Sequence, residues 1–494
     1  MSTPSPRPSG PANAAATPTP QGASSLATGS SSGSGSDLHR DLKNRHIQMI
    51  ALGGAIGTGL FYGSAEAIQM AGPSILLAYL IGGVAIYIVM RALGEMSVHT
   101  PVAGAFSHFA YTHWSERAGF VSGWNYWFNY IAVAMAELSI VGLYVNYWWP
   151  TIPTWLSAAF FLVVITAINL VSVKAFGEFE FWFAAIKVVA IVGMIALGVI
   201  VVVCGLNSDA PAMTESVREG GFFPFGFLSQ NADGAWVGIA TALTAVMFSF
   251  GGVELVGITA GEADNPSRSI PRAINQVIYR ILIFYVAALA VIMAVVPWTT
   301  INGQMSPFVQ IFDSVGIKAA AGILNFVCLT AAMSVYNSGL YSNGRMLYAL
   351  AKQGNAPRFL ARLSPSGAPY LGILLSAGIT VIAVVIAFVA PQNVFSTLMS
   401  IALVAGVINW VMILITQWKF RRHASAETID GLAFKMPGAP FTTWIVIAFF
   451  VGVVALMVLT PQYRPAVYVG PIWLAVLLVA YEIKKRTAHS RENA

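Results

Sequence analysis

Apolar stretches of about 20 residues recur along this chain, and each is long enough for a helix to span the hydrocarbon core of a bilayer. Short polar segments separate them in a chain of 494 residues that is 57% apolar and only 9% charged. Soluble domains carry roughly 25% charged residues, so this pattern excludes a soluble enzyme and predicts an all-α membrane protein. The predicted transmembrane helices number twelve and lie near residues 47–70, 74–96, 119–148, 152–173, 181–205, 235–260, 273–298, 319–351, 370–389, 394–418, 442–459 and 467–483.

Lysines and arginines are distributed unevenly between the two sets of predicted loops. With both termini on one side, the loops on that side carry 19 of the 26 basic residues and the opposite loops carry three. Because basic residues are enriched in cytoplasmic loops, we predict a multi-pass protein of the inner (cytoplasmic) membrane with both termini in the cytoplasm. The basic residues form no continuous stripe, so the lipid bilayer is an expected partner and nucleic acid is not.

Cysteine and histidine positions give no indication of a metal site. Cys204 and Cys328 lie within apolar stretches, and His99, His108 and His113 share a loop without the spacing of metal ligands. Phosphate-binding loop and HExxH signatures are also missing from the sequence. We therefore expect no metal, no other cofactor and no ATP-driven transport.

The N-terminal segment differs in composition from the rest of the chain. Residues 1–36 are almost entirely Pro, Ser, Gly, Ala, Thr and Asn, with Arg7 the only charge. Such a segment cannot bury enough apolar area to offset its ordering entropy, and it lacks the apolar core of a signal peptide. We expect a disordered cytoplasmic tail over 1–36, a transmembrane domain over 37–486 and a second cytoplasmic tail over 487–494.

Two of the predicted helices contain clustered glycines near their middle. The first reads GGAIGTG at residues 53–59, and the sixth reads FSFGGVE at residues 248–254. For either helix alone, close helix packing explains the glycines as well as an interrupted helix does. An interruption inside a membrane is tolerated only where the freed backbone groups face protein or a water-filled cavity.

The two glycine clusters occupy matching positions if the chain contains two five-helix repeats. The repeats would cover residues 47–205 and 235–418, with two additional helices at 442–483. Matching interruptions in two repeats predict a five-plus-five inverted-repeat transporter with discontinuous helices one and six. Half-helix ends offer N–H groups to a carboxylate and carbonyls to an ammonium group, and a zwitterionic amino acid carries both.

Several motifs together resemble bacterial amino acid permeases of the amino acid–polyamine–organocation superfamily. They are RHIQMIALGGAIGTGLF at 45–61, GEM at 94–96, PVAG at 101–104, FGEFEFWF at 176–183 and FSFGGVELVGITAGE at 248–262. The resemblance covers roughly residues 41–486. It implies the LeuT-like fold of that superfamily and a secondary transporter rather than an enzyme.

The resemblance also implies which residues hold the substrate. They are Ala55, Ile56, Gly57, Thr58, Gly59, Phe248, Ser249, Phe250, Gly251 and Gly252. The amides of Thr58 and Gly59 and the Thr58 hydroxyl would bind the substrate carboxylate. Carbonyls near Ala55, Phe248 and Gly251 would accept hydrogen bonds from its ammonium group.

Side-chain recognition is the least determined part of the implied site. Phe248 or Phe250 would close over the substrate, although for each ring considered alone simple packing is the favoured role. The candidates for the side-chain pocket are Asn125, Glu137, Asn337 and Ser338.

Charged residues inside predicted helices are costly and are functional candidates. Lys187 matches a lysine that in related permeases takes the place of a sodium ion against the broken first helix, so it would either cycle a proton or supply a fixed charge. Snorkelling to the cytoplasmic surface is the alternative. Glu254 is predicted to be a gate or proton ligand, and Arg91 and Glu95, four residues apart, are predicted to form an ion pair on one helix.

The sequence thus predicts import of an amino acid by alternating access, coupled to protons, with a weak preference for aromatic substrates. The segments WNYW at 124–127 and AMAEL at 134–138 resemble aromatic amino acid permeases, whereas the first helices resemble proline and histidine permeases. A proline or histidine permease is therefore the first alternative. An antiporter-like subunit of a respiratory proton pump is an alternative of another class, and the sequence predicts no oligomeric state.

Overall fold

The computed structural model describes residues 48–49, 56–102, 104–171, 173–204, 221–260, 265–314, 316–389 and 394–492. Within these ranges the chain is helical apart from its loops and a two-residue hairpin, β1 (Ser229–Gln230) and β2 (Trp236–Val237). The α-helices are α1 (Thr58–Phe61), α2 (Gly63–Ala71), α3 (Ile75–His99), α4 (Ala105–His113), α5 (Glu116–Asn146), α6 (Thr154–Val171), α7 (Val173–Val203), α8 (Ile239–Phe248), α9 (Leu255–Thr259), α10 (Pro266–Arg280), α11 (Ala288–Val295), α12 (Pro307–Ser314), α13 (Lys318–Lys352), α14 (Tyr370–Val389), α15 (Val394–His423), α16 (Ala426–Asp430), α17 (Phe441–Met457) and α18 (Arg464–Glu492).

Helices that can cross a membrane dominate this part of the chain, as the sequence predicts for an all-α membrane protein. Nine helical runs in the described ranges are long and apolar enough to do so: Gly63–His99, Glu116–Asn146, Thr154–Val171, Phe176–Val203, Pro266–Val295, Lys318–Lys352, Tyr370–Val389, Val394–His423 and Arg464–Thr487. Two shorter apolar helices, α8 and α17, accompany them.

Three predicted helices account for the difference between the twelve predicted segments and these nine runs. The second half of predicted helix one, α2, is joined to α3 by a short 3-10 turn at Gly72–Ser74, so the two helices fall within one run, Gly63–His99. Predicted helix six is interrupted after α8, and predicted helix eleven is α17, whose 17 residues fall short of the roughly 20 that span a bilayer. The predicted tail 1–36 lies outside the described residues, and α18 continues to Glu492 through most of the segment predicted as the second tail.

The helices divide into a buried centre and an outer layer. Of the apolar stretches of α5 and α15, 78% is buried, against 28% for α6 and α7 and 22% for α18. The outer helices expose large apolar side chains, such as Trp182 and Val189 of α7. This arrangement is stable only where lipid is the solvent, so α7 has one side in lipid while its opposite side faces the centre.

A π-helical turn, Ile281–Ala287, joins α10 to α11. Hydrogen bonds in a π-helix connect residues five apart, whereas in an α-helix residues three or four apart share a face. Arg280 and Tyr285 are five apart and both are fully buried. The π turn therefore lets both side chains face the interior.

Glu95 does not pair with Arg91, which corrects the predicted ion pair between residues four apart. The buried Glu95 carboxylate of α3 accepts hydrogen bonds from Arg421 Nε (2.8 Å) and Nη2 (2.5 Å). It also accepts from Gln417 (2.9 Å) and from the backbone amide of Met436 (2.5 Å). The Arg91 guanidinium instead donates to the Lys435 carbonyl, because the loop after α16 brings better-placed partners than the same helix offers.

Replacing Glu95 by Gln is expected to destabilise the protein by about 3–5 kcal/mol, because it removes the charge that compensates the half-buried Arg421. Glu482→Gln is the matched control. Glu482 pairs with Arg117 at 2.6 Å, but the two side chains are 45% and 53% exposed, so its loss costs less than about 1 kcal/mol. Thermal unfolding of the purified protein in detergent measures both, and equal melting temperatures for the two variants would contradict the assigned role of Glu95.

Close packing of α5 on α6 depends on Gly142. A Cβ added there would lie 2.4 Å from Thr154 Cβ and 2.6 Å from Thr154 Cα, and backbone atoms cannot yield easily. Gly193 of α7 offers the comparison, because a Cβ added there meets no atom within 4 Å. Both glycines lie within transmembrane helices, and only the first is required by contact.

We expect Gly142→Ala to destabilise the protein by about 1–3 kcal/mol through overpacking. Gly193→Ala is expected to leave stability unchanged or slightly higher, because alanine favours helix. Melting temperatures of the two variants in one detergent give the comparison. A Gly142→Ala protein as stable as the wild type would show that α6 moves away without cost.

Candidate functional site

The first helix break lies at Ile56 and Gly57. Gln48 and Met49 are helical, whereas Ile56 and Gly57 are not, and Gly57 has an extended backbone (φ −130°, ψ −158°). Helix α1 begins at the next residue, and the first N–H groups of a helix have no partner within it. Ala55, a predicted substrate contact, lies outside the described residues.

The second helix break follows α8 and ends before α9. Residues 249–254 form turns, and Gly252 has a positive φ of 94°, which only glycine adopts without strain. Within the turns, the Gly251 amide donates to the Phe248 carbonyl at 3.0 Å. The Phe248 carbonyl oxygen retains a second lone pair for another donor.

The two breaks are in direct contact. A Cβ added at Gly59 would lie 2.8 Å from Ser249 Cα, so only a glycine lets the backbones approach this closely. A small cavity lies beside this contact. Its lining consists of Gly57, Gly59, Tyr130, Val133, Glu137, Phe248, Ser249, Gly251, Gly252 and Val335.

Seven of the residues predicted for the site line this cavity, and they come from three separate segments. Gly57 and Gly59 belong to the first break, and Glu137 belongs to α5. The remaining four are Phe248, Ser249, Gly251 and Gly252. Thr58 is fully buried next to them, and its hydroxyl has no hydrogen-bond partner among the described residues.

Five other residues predicted to contact the substrate are not part of the lining, and the first is Ile56, whose carbonyl accepts from Lys187 at 3.2 Å. The Phe250 ring packs against Tyr79 and Tyr285, with ring centroids 5.9 and 5.3 Å away, so Phe248 is the ring at the cavity. The remaining three are buried between other helices. Asn125 donates to the Ala405 carbonyl (2.8 Å) and to Asn409 (2.7 Å). Asn337 accepts from Asn169 (2.7 Å), and Ser338 is buried next to it on α13.

Tyr130, Val133 and Val335 line the cavity and were not predicted. Tyr130, Val133 and Glu137 lie three and seven residues apart on α5, a spacing that places them on one helix face. Applied to Glu137, this periodicity could have identified the first two. Nothing in the sequence around Val335 distinguishes it from a packing residue.

Lys187 lies at the first break. It is fully buried, and its Nζ donates to the Ile56 carbonyl at 3.2 Å and to the Ser334 hydroxyl at 2.9 Å. Snorkelling to the membrane surface is therefore wrong for this lysine. The ammonium group supplies hydrogen bonds to a carbonyl that the interrupted helix leaves free.

A second acidic group joins this network. The Ser334 hydroxyl donates to Glu180 Oε1 at 2.6 Å, and Glu180 is fully buried. The predicted site residues do not include Glu180, although it lies seven residues from Lys187 on α7 and hence on the same face. That spacing was the available signal.

The two predicted acidic residues near the breaks are also buried. Glu254 lies at the end of the second break, where Trp410 Nε1 is 3.4 Å from its Oε2. Glu137 lies beside Thr58, and its Oε2 has no hydrogen-bond partner among the residues described. Both carboxyl groups thus adjoin the cavity or its supporting turn.

Two tyrosine hydroxyls hold the second break in place. Tyr285 of the π turn donates to the Ser249 carbonyl at 2.9 Å, and the Tyr79 hydroxyl lies 3.2 Å from the Ser249 hydroxyl. Because lipid offers no hydrogen bonds, such side chains replace the partners that the broken helix lacks. At the cavity the two breaks therefore present backbone N–H and carbonyl groups that can hydrogen-bond to a ligand.

Comparison with known proteins identifies the family of this chain. The sequence profile of the amino acid permease family matches residues 46–494. The aromatic amino acid transport protein AroP of Escherichia coli K12 is 52% identical over 456 residues, which cover 92% of this chain and 97% of that protein. AroP of Salmonella typhimurium LT2 is 50% identical over 460 residues, with the same coverage.

A third relative is more distant. The uncharacterized amino acid permease YtnA of Bacillus subtilis is 46% identical over 447 residues, or 90% of this chain and 95% of its own length. The alternative of a respiratory proton-pump subunit is therefore set aside, and the family predicted from the sequence motifs is confirmed. The chain belongs to the amino acid permease family and is a multi-pass membrane transporter, not an enzyme.

Proposed function

We propose that this protein imports aromatic amino acids by proton symport across the inner membrane, with both termini in the cytoplasm. The observation that carries the proposal is the cavity between the two helix breaks. Backbone groups line one part of it, and Phe248, Tyr130, Val133 and Val335 line another. The names of two relatives, aromatic amino acid transport proteins at 52% and 50% identity, support an aromatic substrate.

The substrate backbone is assigned to the helix ends and its ring to the apolar lining. The amides of Thr58 and Gly59 bind the carboxylate, because they are the first N–H groups of α1. The ammonium group binds the second lone pair of the Phe248 carbonyl. Phe248 and Val133 then cover the aromatic ring of the substrate.

Proton coupling is assigned to Lys187. A positive charge at the first break repels a sodium ion from the same place, which favours protons as the driving ion. Lys187 serves either as a fixed charge or as a group that cycles its proton. One proton crossing about 100 mV releases about 2.3 kcal/mol, which at about 1.36 kcal/mol per decade supports roughly fifty-fold accumulation.

The transport cycle that we propose uses two inverted repeats of five helices. Residues 47–205 and 235–418 form the repeats, and 442–483 add two helices to give twelve spans. The glycine-rich breaks in the first helix of each repeat support this assignment, as does their mutual contact. Rocking of one repeat against the other would alternately open the cavity to the two sides.

Uptake of labelled phenylalanine into proteoliposomes tests the proposal. We expect uptake to follow a pH gradient that is acidic outside, to stop when a protonophore is added, and to be unchanged by a sodium gradient. Tyrosine and tryptophan are expected to displace the label. Strongest displacement by proline or histidine would favour the alternative permeases of the same family, and uptake that follows sodium alone would eliminate proton symport.

Gly57→Ala tests where the substrate binds. A Cβ there would lie 2.6 Å from Val335 Cγ2 and 3.0 Å from Glu137 Oε1, and would therefore fill the cavity. An overpacking cost of about 1–3 kcal/mol corresponds to a loss of about fivefold to a hundredfold in affinity for phenylalanine. Equilibrium binding to the purified variant measures this loss.

Gly63→Ala is the matched control, six residues further along the same interrupted helix. The nearest atoms to its added Cβ are Met399 Sδ at 3.6 Å and the Thr58 carbonyl oxygen at 3.8 Å, which are ordinary contacts. The affinity of Gly63→Ala for phenylalanine is expected to equal that of the wild type. Unchanged affinity in Gly57→Ala would place the substrate elsewhere.

A further inference from the structure

Three buried side chains form a hydrogen-bonded chain that extends from the first helix break. Lys187 Nζ donates to Ser334 Oγ at 2.9 Å, and Ser334 Oγ donates to Glu180 Oε1 at 2.6 Å. All three residues have no exposed surface. Lys187 and Glu180 lie two turns apart on one face of α7, and Ser334 of α13 bridges them.

The donors in this chain all point the same way. An ammonium group can only donate, so the Ser334 oxygen accepts from Lys187 and directs its single proton to Glu180. A proton can therefore pass along the chain without any side chain turning. The Ser334 O–H bond breaks as an O–H bond forms on Glu180 Oε1, and a proton from Lys187 Nζ restores the serine hydroxyl.

The products of this transfer are a neutral amine and a neutral carboxylic acid. Charge is conserved, because one positive and one negative group become two neutral ones. Buried charges are strongly disfavoured in an apolar interior, so the neutral pair is an accessible state of this site. The transfer needs no co-reactant beyond the proton that the symport already carries.

We infer that Glu180 is a proton-carrying residue of the transport cycle, which takes the proton of Lys187 through Ser334 and releases it towards the cytoplasm. The inference rests on the proposed proton symport. A second observation supports it: Glu180 Oε2 is buried and has no hydrogen-bond partner among the residues that the structure describes. Unsatisfied buried oxygens are rare in proteins and require an explanation such as a catalytic role.

The elements that pack against α7 leave this pair with few charged neighbours. Helices α6 and α11 contain no Asp, Glu, Lys, Arg or His. The π turn contains one titratable residue, Tyr285, and Arg280 immediately precedes the turn. Arg280 and Glu137 of α5 are the further charged residues near Lys187. On α13 the titratable residues after Ser334 are Tyr336, Tyr341, Arg345, Tyr348 and Lys352. Of these, Tyr341 stacks on Phe176, towards the α7 N-terminus.

An aromatic stack separates Glu180 from the N-terminal end of α7. The rings of Phe176 and Tyr341 are 3.7 Å apart and nearly parallel, at 12°, one turn from Glu180. The Arg345 guanidinium lies over the same tyrosine, 3.3 Å from its ring centre. In the proposed orientation this end of α7 is cytoplasmic, so proton release requires the stack to separate as the transporter opens inward.

Two transport modes of the full-length protein in proteoliposomes distinguish a relay from a structural role. Counterflow of labelled phenylalanine requires only that the loaded carrier reorients, so no proton need be released. Net uptake driven by a pH gradient at zero membrane potential requires release in every cycle. We expect Glu180→Gln and Ser334→Ala to retain counterflow and to lose gradient-driven uptake by about tenfold or more.

Two further variants control for packing. Ser334→Thr keeps the bridging hydroxyl and is expected to restore gradient-driven uptake. Ser342→Ala removes another buried hydroxyl of α13, which donates to the Ser338 carbonyl of its own helix at 2.8 Å, and is expected to retain both modes. Internal acidification, followed with a trapped pH indicator during uptake, should fall together with net uptake in Glu180→Gln.

Each outcome decides the inference. Gradient-driven uptake by Glu180→Gln at the wild-type level overturns the relay and leaves the symport intact. If Glu180→Gln loses counterflow as well as gradient-driven uptake, the result for Ser334→Ala is used instead. A Ser334→Ala protein that retains both counterflow and gradient-driven uptake overturns the relay. A wild-type protein that ignores the pH gradient removes the proposed symport, and the relay with it.

Discussion

Lipid offers no hydrogen bonds, and this constraint governs the centre of the molecule. Two helices are interrupted inside the membrane, so every backbone group that the interruptions free must find a partner within the protein. Lys187 donates a hydrogen bond to the Ile56 carbonyl, and the Tyr285 hydroxyl donates one to the Ser249 carbonyl. The backbone groups that remain beside the cavity are those available to the proposed substrate, so the proposed binding site consists of backbone groups that the surrounding side chains leave unpaired.

The buried charges follow from the same constraint. A lysine provides several donors at a broken helix, but its charge requires compensation in an apolar interior. Glu180 supplies that compensation through Ser334 and not by direct contact. An intervening hydroxyl keeps the two charges close enough to stabilise each other and also connects them by exchangeable protons. In the proposed cycle, support of the helix break and proton coupling therefore depend on the same three residues.

Features that depend on local sequence could be predicted, and features that depend on distant contacts could not. The glycine clusters predict the breaks, and several short motifs identify the family, because each of these signals lies within a single segment. By contrast, Arg421, 326 residues beyond Glu95, outcompetes Arg91 for its carboxylate, and no local pattern indicates this. Phe248 is the last residue of α8 and Phe250 lies in the turns that follow, so no single periodicity tells which ring faces the cavity.

The π turn between α10 and α11 places one extra residue in the seventh predicted span, residues 273–298. It contains more backbone per turn than the α-helix on either side, so the surplus residue can migrate along the helix while the hydrogen-bond ladder stays closed. Each step of that migration rotates the residue that it passes by about 100°. Tyr285 could leave the Ser249 carbonyl in this way without unfolding or tilting of the helix, which provides a small screw-like motion at the second break.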